Sequence, residues 1–301
     1  METTPEILGK LHFEASDIAE LGLTFEPIEM KVKGLKRDYN FLMICDLHVI
    51  AEDISEAEEK SVHIIKDRMT NVFKTSGNTT STLDLFRKLG PVVNKCGADA
   101  VLLGGDICDF GSIANLNILK DELSKWTIPY MYTRADHDFR PWWMAEEHEA
   151  EIAALGKAID GDEDLMVMEY EDLAVVGYNK STWNVTPDAL QRFKEVYAKG
   201  KPIVIVSHVP FNSPVDPSFG EEIMNHENGR NLTWGKGCAY DANPVTDEFL
   251  QMVYAEHSPV KLVLCGHMHY SRDTMLSDTC RQHMFAPAYK GNIGIVRLIA
   301  E

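Results

Sequence analysis

Phe41-Leu42-Met43-Ile44-Cys45-Asp46-Leu47-His48 is a short apolar run that stops abruptly at a carboxylate and an imidazole. Four further stretches repeat the pattern. Ala100–Leu103 runs into Gly104-Gly105-Asp106-Ile107-Cys108-Asp109, and Ile128–Tyr132 leads to Arg134-Ala135-Asp136-His137-Asp138. Ile203–Val206 is followed by Ser207-His208, and Val260–Cys265 by Gly266-His267-Met268-His269. Short continuous runs rich in Val, Ile and Leu suit strands covered on both faces. Helix-period stretches lie around and between them, at Glu56–Phe73, Thr82–Lys95, Asn115–Trp126, Trp143–Ile159, Pro187–Ala198 and Pro244–Ala255. Thr186-Pro187 is a good helix start, with a capping hydroxyl and proline in the first turn. This alternation predicts an α/β fold with helices outside and sheet inside. Ile7–Leu21 reads as an amphipathic helix and Ile28–Val32 as an edge strand. Leu165–Met168 with Leu173–Tyr178 reads as a hairpin, and Met284–Leu298 as a final strand-like stretch.

Composition narrows the function. The chain has 301 residues, 45% hydrophobic and 25% charged, as in an ordinary globular protein. Its 29 Lys and Arg against 47 Asp and Glu give a net charge of −18, which disfavours broad nucleic-acid binding. No apolar run approaches the roughly 18 residues that span a bilayer, so no membrane is expected. The N-terminus has acids early and no apolar stretch, so no secretory leader is expected either. Six cysteines without a CxxC pair read as reduced thiols, and the expected location is cytoplasmic. There is no repeat, low-complexity tract or linker, which predicts one domain over 39–301 with residues 1–38 as an extension packed on it.

In open α/β sheets ligands bind beyond the carboxyl ends of the strands. Carboxylates and neutral imidazoles are together the ligand set for Zn²⁺, Mn²⁺ or Fe. The glycines before Asp106 and His267 are expected to let the backbone turn so that the side chains converge. A lone D-x-H recurs by chance, and a lone G-H-x-H is only suggestive. Five fragments, each at a strand end, are far more specific.

In that order, D-x-H, G-D-x-x-D, a G-N-H-D-like element, a single His after a strand, and G-H-x-H resemble the calcineurin-like metallophosphoesterases, from about Phe41 to Tyr270. The resemblance implies a four-layer α-β-β-α sandwich of two mixed sheets flanked by helices. It implies two divalent or mixed-valence metal ions of Mn, Fe or Zn. Asp46, His48, Asp106 and His269 would hold one, and Asp106 would bridge to a second completed by Asp136, His208 and His267. A metal-bound hydroxide would attack phosphorus, with His137 protonating the leaving group and Asp109 orienting His137. The implied activity is hydrolysis of a small phosphomonoester or phosphodiester. A nuclease is disfavoured by the charge. A metal-binding scaffold without turnover is disfavoured because His137 and Asp109 are both present.

Two departures stand out. The family usually has Gly and Asn where this chain has Ala135 and Asp136. An anionic Asp136 lowers the net charge of a dinuclear site from about +1 to about zero. That predicts either a more highly charged metal such as Fe³⁺ or a preference for singly charged diesters, unless the carboxylate simply replaces the amide oxygen. Protein serine/threonine phosphatases of this superfamily place an Arg after the residue matching Asp109; here it is Phe110, which argues against that branch. Arg134, Arg140 and Arg230 are candidate replacements. Trp142 and Trp143 are candidate substrate contacts, and the stretch Phe211–Tyr240 reads as a long loop forming a pocket wall. The remaining histidines have no ligand-like context.

Overall fold

Each apolar run that ends in an acid or imidazole is a strand, and a computed structural model describes the chain over residues 8–160, 164–179 and 183–301. Residues 1–7 of the predicted extension lie outside the described residues. The architecture is a mixed α/β fold with two large mixed sheets flanked by helices, as the sequence implied. Contacts divide the chain into two compact units. The first comprises Met1–Ile28, Tyr39–Asp162 and Pro287–Arg297, and the second Glu29–Asp38, Glu163–Ala286 and Leu298–Glu301.

A five-stranded sheet belongs largely to the first unit. Its strands are β1 (Thr24–Val32), β2 (Tyr39–Ile44), β3 (Ala100–Leu103), β4 (Tyr130–Tyr132) and the last strand of the chain, β13 (Asn292–Ala300), in the order β1-β13-β2-β3-β4. β2, β3 and β4 run parallel, so their carboxyl ends share one edge. Every residue of β2 and β3 is buried, which explains the apolar runs Phe41–Ile44 and Ala100–Leu103; the buried Asn40 precedes the first. The helices are α1 (Ala15–Leu21), α2 (Val62–Asp67), α3 (Thr82–Val93), α4 (Ile113–Leu123), the single turn α5 (Asp136–Phe139) and α6 (Glu149–Asp160). Ser81 and Ser112 cap α3 and α4 by accepting the N–H groups of Asp84 and Asn115. Leu83, Phe86, Leu89 and Val93 of α3 and Leu119 and Leu123 of α4 bury their side chains with Leu42, Ile44, Val101 and Leu103 of the sheet.

The second unit holds a six-stranded sheet, β5 (Leu165–Glu169), β6 (Ala174–Tyr178), β7 (Ile203–Val206), β10 (Val260–Cys265), β11 (Arg272–Ser277) and β12 (Cys280–Met284), in the order β11-β12-β10-β7-β6-β5. The two-residue strands β8 (Trp234–Gly235) and β9 (Tyr240–Asp241) pair separately. β5 and β6 form the expected antiparallel hairpin, with Leu165 opposite Tyr178. β6, β7, β10 and β12 are parallel. α7 (Pro187–Ala198) and α9 (Pro244–Tyr254) are capped by Thr186 and Asn243 and place Phe193 and Phe249 in a core with Tyr178 and Trp234.

Local physics shifts several boundaries. Ile7 lies outside the described residues, and the helix expected over Ile7–Leu21 is interrupted: Leu8 is helical, Gly9 is left-handed (φ 60°), the N–H of His12 bonds the carbonyl of Cys96, and α1 runs from Ala15. The stretch read as one helix over 56–73 is a 3₁₀ turn (Glu59–Ser61), α2, and a π-helical turn, Arg68–Val72. Phe211–Tyr240, read as loop, contains α8 (Pro217–His226). β11 has no apolar signature in the sequence, because four of its six residues, Arg272, Asp273, Thr274 and Ser277, are polar and its apolar Met275 is exposed. Met284–Leu298 is not one strand: a 3₁₀ turn at Ala288–Lys290 and left-handed Gly291 separate β12 from β13. Among the described residues no helix is long and apolar enough to cross a membrane.

Candidate metal centre

In the first unit, the loops after β2 and β3 run side by side. The N–H groups of Asp46, His48 and Val49 bond the carbonyls of Gly105, Asp106 and Ile107 at 3.0, 2.9 and 2.7 Å. These bonds carry the pairing of β2 and β3 past the end of the sheet, so Asp46, His48 and Asp106 stand on adjoining segments. All three are buried and all three have left-handed backbone, with φ of 54°, 51° and 52°. Gly105 is also left-handed (φ 89°), so it is the glycine that the expected sharp turn requires.

Two carboxylates organise this edge. Asp138 is fully buried and accepts the N–H groups of Asp106 and Cys108 at 2.8 Å each and of Ala135 at 2.9 Å. It thereby ties the loop carrying Asp106 to the start of α5, which carries Asp136 and His137. Burial, reinforced by the charge of Asp106, pushes the Asp138 carboxyl up to about 6. Asp109, also 0% exposed, serves three cations or potential cations. Its Oδ1 lies 3.0 Å from His48 Nδ1 and 3.3 Å from His137 Nδ1, and the His137 Nδ1 also reaches the Asp109 carbonyl at 2.6 Å. Arg68 donates Nε to Oδ2 at 2.6 Å and Nη2 to Oδ1 at 2.7 Å. Burial alone would raise the Asp109 carboxyl; the hydrogen bonds from Arg68, His137 and His48 outweigh it and hold the group well below the usual carboxylate range.

Burial depresses His48, favouring the neutral imidazole that ligates metal. With Nδ1 on Asp109, His48 has Nε2 as its remaining ligand atom, 3.9 Å from an Asp106 carboxylate oxygen. Burial acts the same way on His137, but Asp106 and Asp109 overrule it and raise His137 to about 9. The raised value favours the protonated imidazolium at His137.

The expected substrate contacts fall into different settings. Arg134 is 3% exposed, near the ring of Phe139 and close to Gly156 of α6, a buried position rather than an open one. Arg140 lies over Trp142, and Trp142 meets the His137 ring edge-on at 4.5 Å. Trp143, left-handed at φ 66°, packs on Phe110 and on the Arg68 guanidinium.

The second unit presents the imidazoles. His208 follows β7 and His267 and His269 follow β10, two neighbouring parallel strands. The His208 Nε2 lies 3.1 Å from the His267 Nδ1, and the Tyr240 hydroxyl is 2.9 Å from the His267 Nε2. His267 and His269 are left-handed (φ 79° and 58°). His267 itself, not Gly266, takes the sharp turn after β10. Tyr240, like Arg68 and Asp138, was not picked out from the sequence. Tyr and Arg have no motif spacing of their own here, and their role depends on contacts to residues far away in the chain.

The donor set fits divalent transition metals: carboxylates and imidazoles, mostly buried, held at strand ends by backbone that ordinary residues avoid. Residues 39–271 match the calcineurin-like phosphoesterase family. The chain belongs to that family. This calcineurin-like phosphoesterase is accordingly a metal-dependent phosphoric ester hydrolase of a dimetal-dependent family. Its fold is similar to that of a dimetal phosphatase from Danio rerio, 14% identical with a TM-score of 0.50, over 84% of this chain and 88% of that one. A purple acid phosphatase from yellow lupin (Lupinus luteus) is 12% identical, TM-score 0.46, over 88% of this chain and 44% of that one. Phosphopantetheinyl hydrolase from Mycobacterium tuberculosis is 10% identical, TM-score 0.42, over 85% and 92%. No curated protein matches the sequence.

Proposed function

We propose that residues 39–301 act as one metallophosphoesterase domain, with 1–38 as its extension, hydrolysing a small phosphomonoester or phosphodiester in the cytoplasm. Asp46, His48, Asp106 and His269 would hold one metal, and Asp106, Asp136, His208 and His267 the other, from among Mn, Fe and Zn. Such a pair supplies Lewis-acid stabilisation of charge at phosphorus and activates the attacking water. His137 protonates the leaving oxygen, with its Nδ1 on the Asp109 carbonyl at 2.6 Å and near the Asp109 carboxylate so that Nε2 is left to face the substrate. Trp142, against the His137 ring, and Arg140 above it are the contacts proposed for the leaving group.

One observation carries this reading. Of the seven left-handed residues other than glycine among those described, five are Asp46, His48, Asp106, His267 and His269. Asp and His tolerate this conformation better than most residues, yet each costs about 1 kcal/mol or more. Together they forfeit roughly 5 kcal/mol, as much as the whole stability of some domains. Strain of that size at the residues matching one ligand set points to a site retained for function. The test is hydrolysis of p-nitrophenyl phosphate and bis-p-nitrophenyl phosphate by metal-stripped protein before and after reloading with Mn²⁺. Turnover that appears on reloading supports the proposal; bound metal without turnover of either ester replaces it with a scaffold role.

A further inference from the structure

The segment between β2 and α3 delivers a guanidinium to the site that none of the motifs contains. Arg68 begins the π-helical turn Arg68–Val72, in which the N–H of Phe73 bonds the Arg68 carbonyl at 3.1 Å. This wider turn sets Phe73 beneath the guanidinium of its own first residue, 4.9 Å from ring centroid to Cζ. Trp143 covers it at 5.0 Å, and the N–H of Glu58 holds the Trp143 carbonyl at 2.9 Å. Phe73 in turn stacks flat on His48, with centroids 4.2 Å apart and planes within 10°. Such π-turns inside helices recur at functional sites. Arg68 thus has its Cζ within 5.0 Å of two aromatic ring centroids and its fork on both oxygens of Asp109. Its side chain is 21% exposed while Asp109 is at 0%.

We propose that Arg68 is a positioning residue that locks the Asp109 carboxylate in the one orientation that serves His48 and His137 together. The Asp109 Oδ1 that accepts from Arg68 is the oxygen within 3.3 Å of both imidazoles. A carboxylate free to rotate would serve one histidine at the expense of the other. The bidentate fork removes that freedom, which a lysine, with a single point of charge, does not. Arg68 therefore couples the orientation of a proposed metal ligand to that of the proposed general acid. The assignment to His137 rests on the proposed function; the assignment to His48 rests on metal binding alone.

The experiment uses the full chain with Arg68→Lys and Arg68→Ala. Three quantities are read: the affinity of metal-stripped protein for Mn²⁺ by calorimetry, kcat and KM separately for bis-p-nitrophenyl phosphate, and recovery of the alanine variant in guanidinium ion at tens of millimolar. Loss of an outer partner of a metal-ligating histidine weakens metal binding by about 10–100-fold, so Mn²⁺ affinity is expected to fall at least tenfold in both variants. kcat is expected to fall by a similar factor at saturating Mn²⁺, with KM changed less than twofold, and guanidinium should restore the alanine variant but not the lysine one. Unchanged Mn²⁺ affinity overturns the proposal, as does a KM that rises more than kcat falls, which would mark Arg68 as a substrate contact. If the parent chain hydrolyses neither ester, the proposed function fails, and the Mn²⁺ arm still decides the role of Arg68. If the alanine variant does not fold, the lysine variant decides alone.

Discussion

Replacing Asp138 with alanine takes the acceptor from three buried N–H groups at once. Those of Asp106, Cys108 and Ala135 reach its carboxylate at 2.8, 2.8 and 2.9 Å. A buried donor left without an acceptor costs about 1–3 kcal/mol, so three cost roughly 3–9 kcal/mol. Removing a carboxylate whose charge is disfavoured by burial returns part of this, and a water in the vacated space returns more. The net loss expected is about 3–5 kcal/mol, a large share of the 5–15 kcal/mol typical of a folded domain. The loss is local as well as global: Asp106 no longer has the bond that fixes its N–H in the left-handed turn, so Mn²⁺ affinity should fall with stability. Asp138→Asn keeps one oxygen and should cost roughly half as much. The assay is urea unfolding of metal-free protein followed by circular dichroism, with Mn²⁺ titration of the folded variants. A loss below about 1 kcal/mol for the alanine variant, with parental Mn²⁺ affinity, would refute the role given to Asp138.

Three further outcomes are expected. Asp136→Asn restores a positive site and should raise hydrolysis of p-nitrophenyl phosphate relative to the diester by about tenfold, for roughly 1.4 kcal/mol of added attraction to a dianion; an unchanged ratio together with unchanged metal content contradicts the charge argument. Gly291→Ala places a Cβ 2.3 Å from the Gly22 carbonyl oxygen at φ 81°, so it should cost about 2–4 kcal/mol in thermal unfolding, and a cost under about 0.5 kcal/mol would show that this turn is not constrained. Although partial burial raises it, Asp273 is held below the usual carboxylate range by hydrogen bonds from His283 and Arg281. Its contribution is therefore present above about pH 4 and lost as pH falls further. Because Asp273 is half-exposed, the effect is below about 1 kcal/mol; Asp273→Asn should flatten the acid limb of the stability curve, whereas parallel curves would rule the contribution out.

Much of this fold is legible in the sequence. The strands Ala100–Leu103, Ile203–Val206 and Val260–Cys265 were legible at their observed bounds because strands buried on both faces read as unbroken apolar runs. The residues following them were legible because carboxylates and imidazoles rarely cluster after buried strands without a reason. What stayed hidden depends on contacts distant in sequence. Arg68 sits in a stretch that reads as an ordinary amphipathic helix, and nothing local signals a π-turn. Asp138 is one more acid in an acid-rich motif until its three backbone donors are seen. β11 opens on Arg272, Asp273 and Thr274, and its partner β12 is polar at Arg281 and Gln282, so neither has the apolar continuity of the other strands. The glycine expected to turn the chain before His267 is not the residue that turns it, because imidazole side chains tolerate left-handed backbone.

The proposed ligand set is expected to hold a pair of metals. This is tested most directly by metal content and diester turnover measured on the parent, on Asp106→Asn and on His267→Ala, after stripping and reloading with Mn²⁺. About two Mn²⁺ per parent chain are expected, with loss of at least one in each variant and turnover reduced by a factor of about 100 or more in both. A His267→Ala protein with parental stoichiometry and parental turnover would contradict it.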